Sequence, residues 1–165
     1  MSAGQEPAPE NAAREICLAA LERRPRTRRD LKERLLRKRI PEEVADAVLD
    51  RFVEVGLVDD EAFARALVMS RQRGRPRGVR ALAVELRRKG IPDDVAERVL
   101  AELVVGETPE EVAARALAPK LRSLAGRPPE EVRRKSQQFL LRRGFDYETV
   151  NVVMRGLVAT EEDPV

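Results

Sequence analysis

The sequence predicts an all-α chain built from three tandem three-helix units, and three observations carry that expectation. The composition is rich in charge and poor in rings: of 165 residues, 37% are charged and 3% are aromatic. Ala, Val and Leu supply most of the apolar side chains, and small or unbranched side chains lose little rotamer freedom in a helix. The stretch RLLRKRIPEEVADAVL (Arg34 to Leu49) returns fifty-one residues later as ELRRKGIPDDVAERVL (Glu85 to Leu100), with nine of sixteen positions identical and three more exchanging Asp for Glu. A weaker copy, LLRRGFDYETVNVVM, follows at a spacing of fifty-four and brings Leu140 into register with Leu35 and Leu86, and Val153 with Val48 and Val99. A period near fifty lies in the range that builds stacked arrays.

The elements follow in order. Residues 1–10, MSAGQEPAPE, read as a loose polar tail. The first unit spans 11–57. NAAREICLAALERR places Ala13, Ile16, Cys17, Ala20 and Leu21 on one helical face, and TRRDLKERLLRKR opens with Thr27 as N-cap and turns Leu31, Leu35 and Leu36 inward. PEEVADAVLDRFVEVG starts with Pro41 in its first turn, aligns Val44, Val48, Leu49, Phe52 and Val55, and stops at Gly56. The second unit spans 58–106. Its first helix carries Phe63, Ala66, Leu67 and Ser70 and ends in the loop RGRPRG; its second carries Val79, Leu82, Ala83 and Leu86; its third carries Val95, Val99, Leu100 and Leu103. The third unit spans 107–160. Thr108 and Glu111 form a capping box around Pro109, Pro119 kinks or splits the helix that follows, and Gly144 closes PPEEVRRKSQQFLLRRG before DYETVNVVMRGLV.

Net charge is only +3, but its sign alternates with the repeat: residues 14–40 carry +7, 41–63 carry −7, 71–91 carry +7, 92–113 carry −6 and 120–143 carry +6. Basic residues at a helix C-terminus and acidic ones at the next N-terminus complement the helix dipole by about 0.3–1 kcal/mol each. Gly90 and Gly144 suit a left-handed C-cap, whereas Arg39 stands at the equivalent place in the first unit and costs roughly 1 kcal/mol if the backbone turns left-handed there.

Capping accounts for the acidic clusters better than for the basic ones. Arg23 to Arg39 holds ten cations in seventeen residues, and Arg71 to Arg80 holds five arginines around a Gly/Pro loop. Arginine favours forked contacts with phosphate or carboxylate, so nucleic acid backbone or an acidic protein surface is the expected partner. A solvated basic face without a partner is the plainer alternative. No aromatic residue is interleaved in these clusters, which argues against base stacking. The candidate binding residues are Arg71, Arg73, Arg75, Arg77, Arg80, Arg87 and Lys89 in the central unit, and Arg28, Arg29, Lys32, Arg34 and Lys38 in the first.

Other classes find little support. His is absent, no phosphate loop or serine elbow occurs, and Asp59–Asp60 and Asp93–Asp94 sit at helix starts where capping explains them. No enzyme activity, cofactor or metal site is therefore expected. The single Cys17 allows no internal disulfide. No apolar run reaches the ~20 residues of a membrane span and no signal peptide is legible, so a cytoplasmic protein is expected, and a monomer in the absence of any zipper.

GLVDDEAFARALVMSR (Gly56 to Arg71) and RGVRALAVELRRKGI (Arg77 to Ile91), set within the triple repeat, resemble the RecX family of bacterial RecA regulators over roughly residues 12–158. The motifs that carry the likeness are GL-hydrophobe-DD-x-x-Phe-Ala and Glu85-Leu86-x-x-Lys89-Gly90-Ile91. The arginine-rich loop and Arg39 depart from the family pattern. The resemblance implies an elongated, curved array. It also implies binding to the RecA filament on single-stranded DNA, with suppression of strand exchange, ATP hydrolysis and the coprotease activity that cleaves LexA. Asp59, Asp60 and Phe63 are expected to be structural, the aspartates as caps and Phe63 beneath them. Two other classes remain open. One is a direct DNA binder, nonspecific or of helix-turn-helix type, for which only Gln137 and Gln138 are available as base readers. The other is a helical-repeat protein scaffold.

Overall fold

The computed structural model describes residues 8–103 and 106–161. Among them are nine helices and no strand. The helices are α1 (Pro9–Arg23), α2 (Arg28–Arg37), α3 (Glu42–Glu54), α4 (Asp60–Gly74), α5 (Val79–Arg88), α6 (Asp93–Leu103), α7 (Pro109–Ser123), α8 (Pro129–Arg142) and α9 (Tyr147–Glu161). α1 begins inside the segment read as a tail; residues 1–7 lie outside the described residues. α7 runs through Pro119 unbroken, so the expected split does not occur.

Three separate cores result, one per unit. The third helix of each unit packs against both others: α3 on α1 and α2, α6 on α4 and α5, α9 on α7 and α8. The repeated leucine is central to this pattern, since Leu35, Leu86 and Leu140 are each fully buried in their own core. Cys17 is a buried free thiol, and burial pushes its pKa up to about 11. Some faces differ from the periodicity. Leu36 and Val55 are exposed, and α4 buries Ala64 and Val68 rather than Ala66 and Ser70, with Phe63 and Leu67 at the edge. Val79 is likewise exposed, while the side chain of Leu103 lies outside the described residues.

The units are joined through the ends of their second helices. At the first junction the N-terminus of α2 meets the C-terminus of α5. The Thr27 hydroxyl donates to the Lys89 carbonyl at 2.8 Å and accepts from the Asp30 N–H at 3.2 Å. Arg29 Nη2 donates to the Arg88 carbonyl at 2.8 Å. Asp60 Oδ1 accepts from the Arg28 N–H at 2.8 Å, so Asp60 caps α2 of the first unit, while Asp59 alone caps α4 by accepting from the Ala62 N–H at 2.9 Å. At the second junction the N-terminus of α5 meets the C-terminus of α8. The Gly78 N–H donates to the Arg143 carbonyl at 2.9 Å. Thr27 and Gly78 are repeat equivalents, as are Lys89 and Arg143. The carbonyls that a helix C-terminus leaves without intrahelical partners are thus satisfied by the start of the preceding unit's second helix, and opposite dipole ends face each other.

This arrangement explains the glycines and the exception among them. A Cβ on Gly78 would lie 2.2 Å from the Gly144 carbonyl oxygen, one on Gly144 would lie 2.4 Å from Ala81 Cβ, and one on Gly90 would lie 2.6 Å from Arg29 Cβ. Gly90 and Gly144 also sit at φ +81° and +83°. Arg39 takes φ 61° at the equivalent place. Among the described residues no other unit meets the C-terminus of α2, so a side chain there is opposed by backbone strain. Replacing Gly144 with Ala is expected to cost about 2–4 kcal/mol from left-handed strain plus overpacking. Arg39→Gly is expected to gain up to about 0.5 kcal/mol, since relief of strain slightly exceeds the added chain entropy. Urea denaturation followed by circular dichroism checks both signs.

Candidate functional site

The end-to-end helices decide which cations can reach a partner. In the first unit two of the five expected residues turn toward α3. Arg28 Nη2 contacts Asp46 at 3.2 Å and Asp50 at 2.6 Å, and Lys32 Nζ contacts Glu42 at 2.7 Å and Asp46 at 2.9 Å. These carboxylates hold Arg28 and Lys32 above their ordinary pKa values, mainly through the hydrogen bonds that Arg28 donates to Asp50 and Lys32 donates to Glu42. Arg29 lies across Gly90 at the junction and pairs with Glu33 at 3.4 Å. Arg34 is half-buried and Lys38 exposed, and neither has an ion pair among the described residues. The structure does not bring these five into one ridge.

The central unit behaves differently. Arg71 makes a forked contact with Glu85, Nε to Oε1 at 3.0 Å and Nη2 to Oε1 at 2.5 Å, and Arg77 reaches the same carboxylate at 3.4 Å. The Arg71 hydrogen bonds hold the Glu85 carboxyl below its ordinary pKa against the opposing effect of its burial. Gln72 fixes the RGRPRG loop by donating to the Arg77 carbonyl and accepting from the Arg77 N–H, both at 3.3 Å. Arg87 pairs with Asp93 at 3.3 Å. Arg73, Arg75, Arg80 and Lys89 are exposed and have no ion pair among the described residues.

Those exposed cations gather around α5. A cleft of about 310 Å³ where the second and third units meet is lined by Arg73, Arg77, Arg80 and Arg115. On the other side of Arg77 and Arg80, a groove of about 820 Å³ runs along α5 past Val84 to Arg88 and Lys89. Arg88 and Lys89 also border a third cleft, of about 560 Å³, with Arg24, Arg26 and Arg29 across the first junction. A basic track therefore follows α5 from one junction to the other, with carboxylates set at its ends: Glu107, paired with Arg115, and Asp146 line the first cleft, and Asp30, Glu33 and Asp59 line the third. Arg143 lies beside it: the guanidinium lies 4.9 Å from the Phe139 ring centroid and donates to the Pro76 carbonyl at 3.4 Å. Its pKa is lowered by burial and by the nearby Arg77 and Arg75.

Sequence reasoning missed Arg24, Arg88 and Arg143 at or beside this surface; Arg26, which also borders the third cleft, is paired with Asp30 at 2.8 Å and mostly buried. The repeat alignment held the signal for two of them, because Lys89 and Arg143 are equivalent C-cap positions and Arg88 precedes the first of these. Among the described residues no group of three or more His, Cys, Asp or Glu side chains could hold a metal ion, and no helix is long and apolar enough to cross a membrane.

Comparison with known proteins gives one consistent result. Models of the RecX first, second and third three-helix domains match residues 13–52, 59–100 and 109–154. The Regulatory protein RecX of Thermobifida fusca is 45% identical over 146 residues, covering 86% of this chain and 78% of that protein. That of Streptomyces coelicolor is 42% identical over 156 residues, covering 94% and 82%. In fold, the crystal structure of RecX from Lactobacillus salivarius aligns with a TM-score of 0.78 over 92% of this chain and 97% of that one, at 22% identity.

The Arg71–Glu85–Arg77 cluster makes the second unit acid-sensitive. The Glu85 side chain is 16% exposed, and a group whose pKa is depressed by folding stabilises the native state above its unfolded pKa and ceases to do so as pH falls through the folded value. Stability from this cluster is therefore present at pH 7 and is lost below the ordinary carboxylate value of 4.5. Glu85→Gln is expected to cost about 1.5 kcal/mol at pH 7 and to flatten the fall in stability below that pH. Urea titrations at pH 7 and in the acid range measure both.

Proposed function

The chain belongs to the RecX family, and on that premise we propose that it is a non-enzymatic regulator of the RecA recombinase. It binds the RecA filament on single-stranded DNA and suppresses strand exchange, ATP hydrolysis and LexA coprotease activity in the bacterial cytoplasm. The observation that carries this reading is the basic track along α5, formed by the exposed Arg73, Arg80, Arg88 and Lys89 with Arg24 across the first junction. A track that crosses unit boundaries suits a polymer with repeating acidic features, and a monomer with three units in series gains affinity through effective concentration when several weak contacts form together.

Charge also favours this reading over a helix-turn-helix binder. In that motif a recognition helix enters the major groove. Here the third helices carry carboxylates, Glu42, Asp46 and Asp50 on α3 and Asp93, Glu97 and Glu102 on α6, which repel phosphate.

Reversing Arg73, Arg75 and Arg80 to Glu is expected to weaken inhibition of RecA ATP hydrolysis about tenfold or more, with helicity unchanged. Inhibition equal to that of the parent protein contradicts the assignment. Binding to bare duplex, bare single strand and RecA-coated single strand, at two salt concentrations, separates the alternatives. The regulator prefers the coated strand; a direct phosphate binder shows no such preference and a steep salt loss.

A further inference from the structure

The groove along α5 has a feature that the basic clusters lack in sequence, an exposed ring. Tyr147, the only tyrosine in a chain without tryptophan, is 65% exposed at the first position of α9. The Asp146 carboxylate caps that helix by accepting from the Thr149 N–H at 2.8 Å, which fixes where Tyr147 emerges. Seventy residues separate Tyr147 from Arg77 in sequence. The second junction closes that separation: Gly144 packs on Ala81 and carries the start of α9 to the side of α5. Tyr147, Arg77, Arg80, Val84, Arg88 and Lys89 then line one groove.

The groove's chemistry is divided. Its apolar part is the Tyr147 ring with Val84, itself 44% exposed, together with Ala81, Leu141 and Phe145. Its rim is cationic, and the one carboxylate present, Glu85, is already engaged by Arg71 and Arg77. Arg80, Val84 and Arg88 follow one another at i, i+4 and i+8, so the backbone positions of the two arginines stand about 12 Å apart along the helix. An accessible flat ring beside spaced cations matches a ligand that alternates planar apolar groups with anions along its length. Single-stranded nucleic acid has that alternation with unpaired faces available, whereas in a duplex the base faces are already stacked. An acidic peptide offers the anions without a regular supply of rings.

We propose that this groove binds single-stranded nucleic acid directly, with one base stacked on Tyr147 and backbone phosphates on Arg80, Arg88 and Lys89. The inference rests on the basic track being the partner-facing side. It assigns part of that track to nucleic acid rather than to protein.

Tyrosine fluorescence of this protein reports Tyr147 alone, which makes the test direct. Titration with a twelve-residue oligothymidylate, corrected for absorbance, is expected to quench the emission saturably. An abasic oligonucleotide of equal charge and a duplex of the same length are expected to leave it nearly unchanged. Tyr147→Ala, followed by anisotropy of labelled oligothymidylate, is expected to weaken binding about tenfold, and Tyr147→Phe to retain it. Arg80→Ala with Arg88→Ala is expected to weaken binding and flatten its salt dependence. Binding without quenching, quenching of equal size by the abasic strand or the duplex, full affinity in Tyr147→Ala, or no binding at all would each overturn the proposal. Because bare oligonucleotides contain no filament, such a failure leaves RecA inhibition to be judged by its own assay.

Discussion

The contact on which the molecule depends is the meeting of helix ends at the two unit junctions. A helix of ten residues such as α2 or α5 leaves a large share of its backbone groups without internal partners. Here the carbonyl ends of α5 and α8 receive donors from the starts of α2 and α5. The same contacts satisfy orphan groups, align dipoles and join the units. Each unit keeps its own small core of Ala, Val and Leu, so the relation between units rests on a few polar contacts and on close backbone approach at Gly78, Gly90 and Gly144. That is why the helix ends at Lys89-Gly90 and Arg143-Gly144 carry a glycine: each is a docking surface for the unit before it, as well as a helix end.

Much of this was legible in the sequence, for physical reasons that differ by element. Helices and units could be read because burial at i, i+3 and i+4 leaves a period, and because Leu35, Leu86 and Leu140 repeat at matching places. The strain at Arg39 was readable because a C-cap position forces a left-handed backbone whatever residue occupies it. The purpose of the glycines was not readable, because the atoms that crowd them belong to another unit. Asp60 illustrates the same limit: beside Asp59 it looks like a second cap for α4, yet its carboxylate serves α2, and only the folded junction reveals that.

The candidate surface was legible in composition and not in membership. The charge alternation showed that basic residues exceed capping needs, but it could not separate those turned inward from those left open. Arg28 and Lys32 lie one turn apart on α2, and α3 presents Asp46 to both. Arg73, Arg75 and Arg80 lie in or beside a loop and make no ion pair among the described residues, although Glu107 and Asp146 line the same cleft as Arg73 and Arg80. Tyr147 is the clearest omission. Its distance along the chain from the arginines hid a neighbourhood that the second junction creates.

The central claim is that the helix-end junctions hold the three units in one fixed series and so keep the parts of the basic track aligned. Pulsed electron paramagnetic resonance between spin labels at Glu43→Cys on α3 and Asn151→Cys on α9, with Cys17 replaced by Ala, tests it most directly. One narrow distance distribution is predicted, broadening when Gly78 is replaced by Val to hold the α5 and α8 ends apart. A broad distribution with the native junctions, or one unaffected by that replacement, would contradict the account.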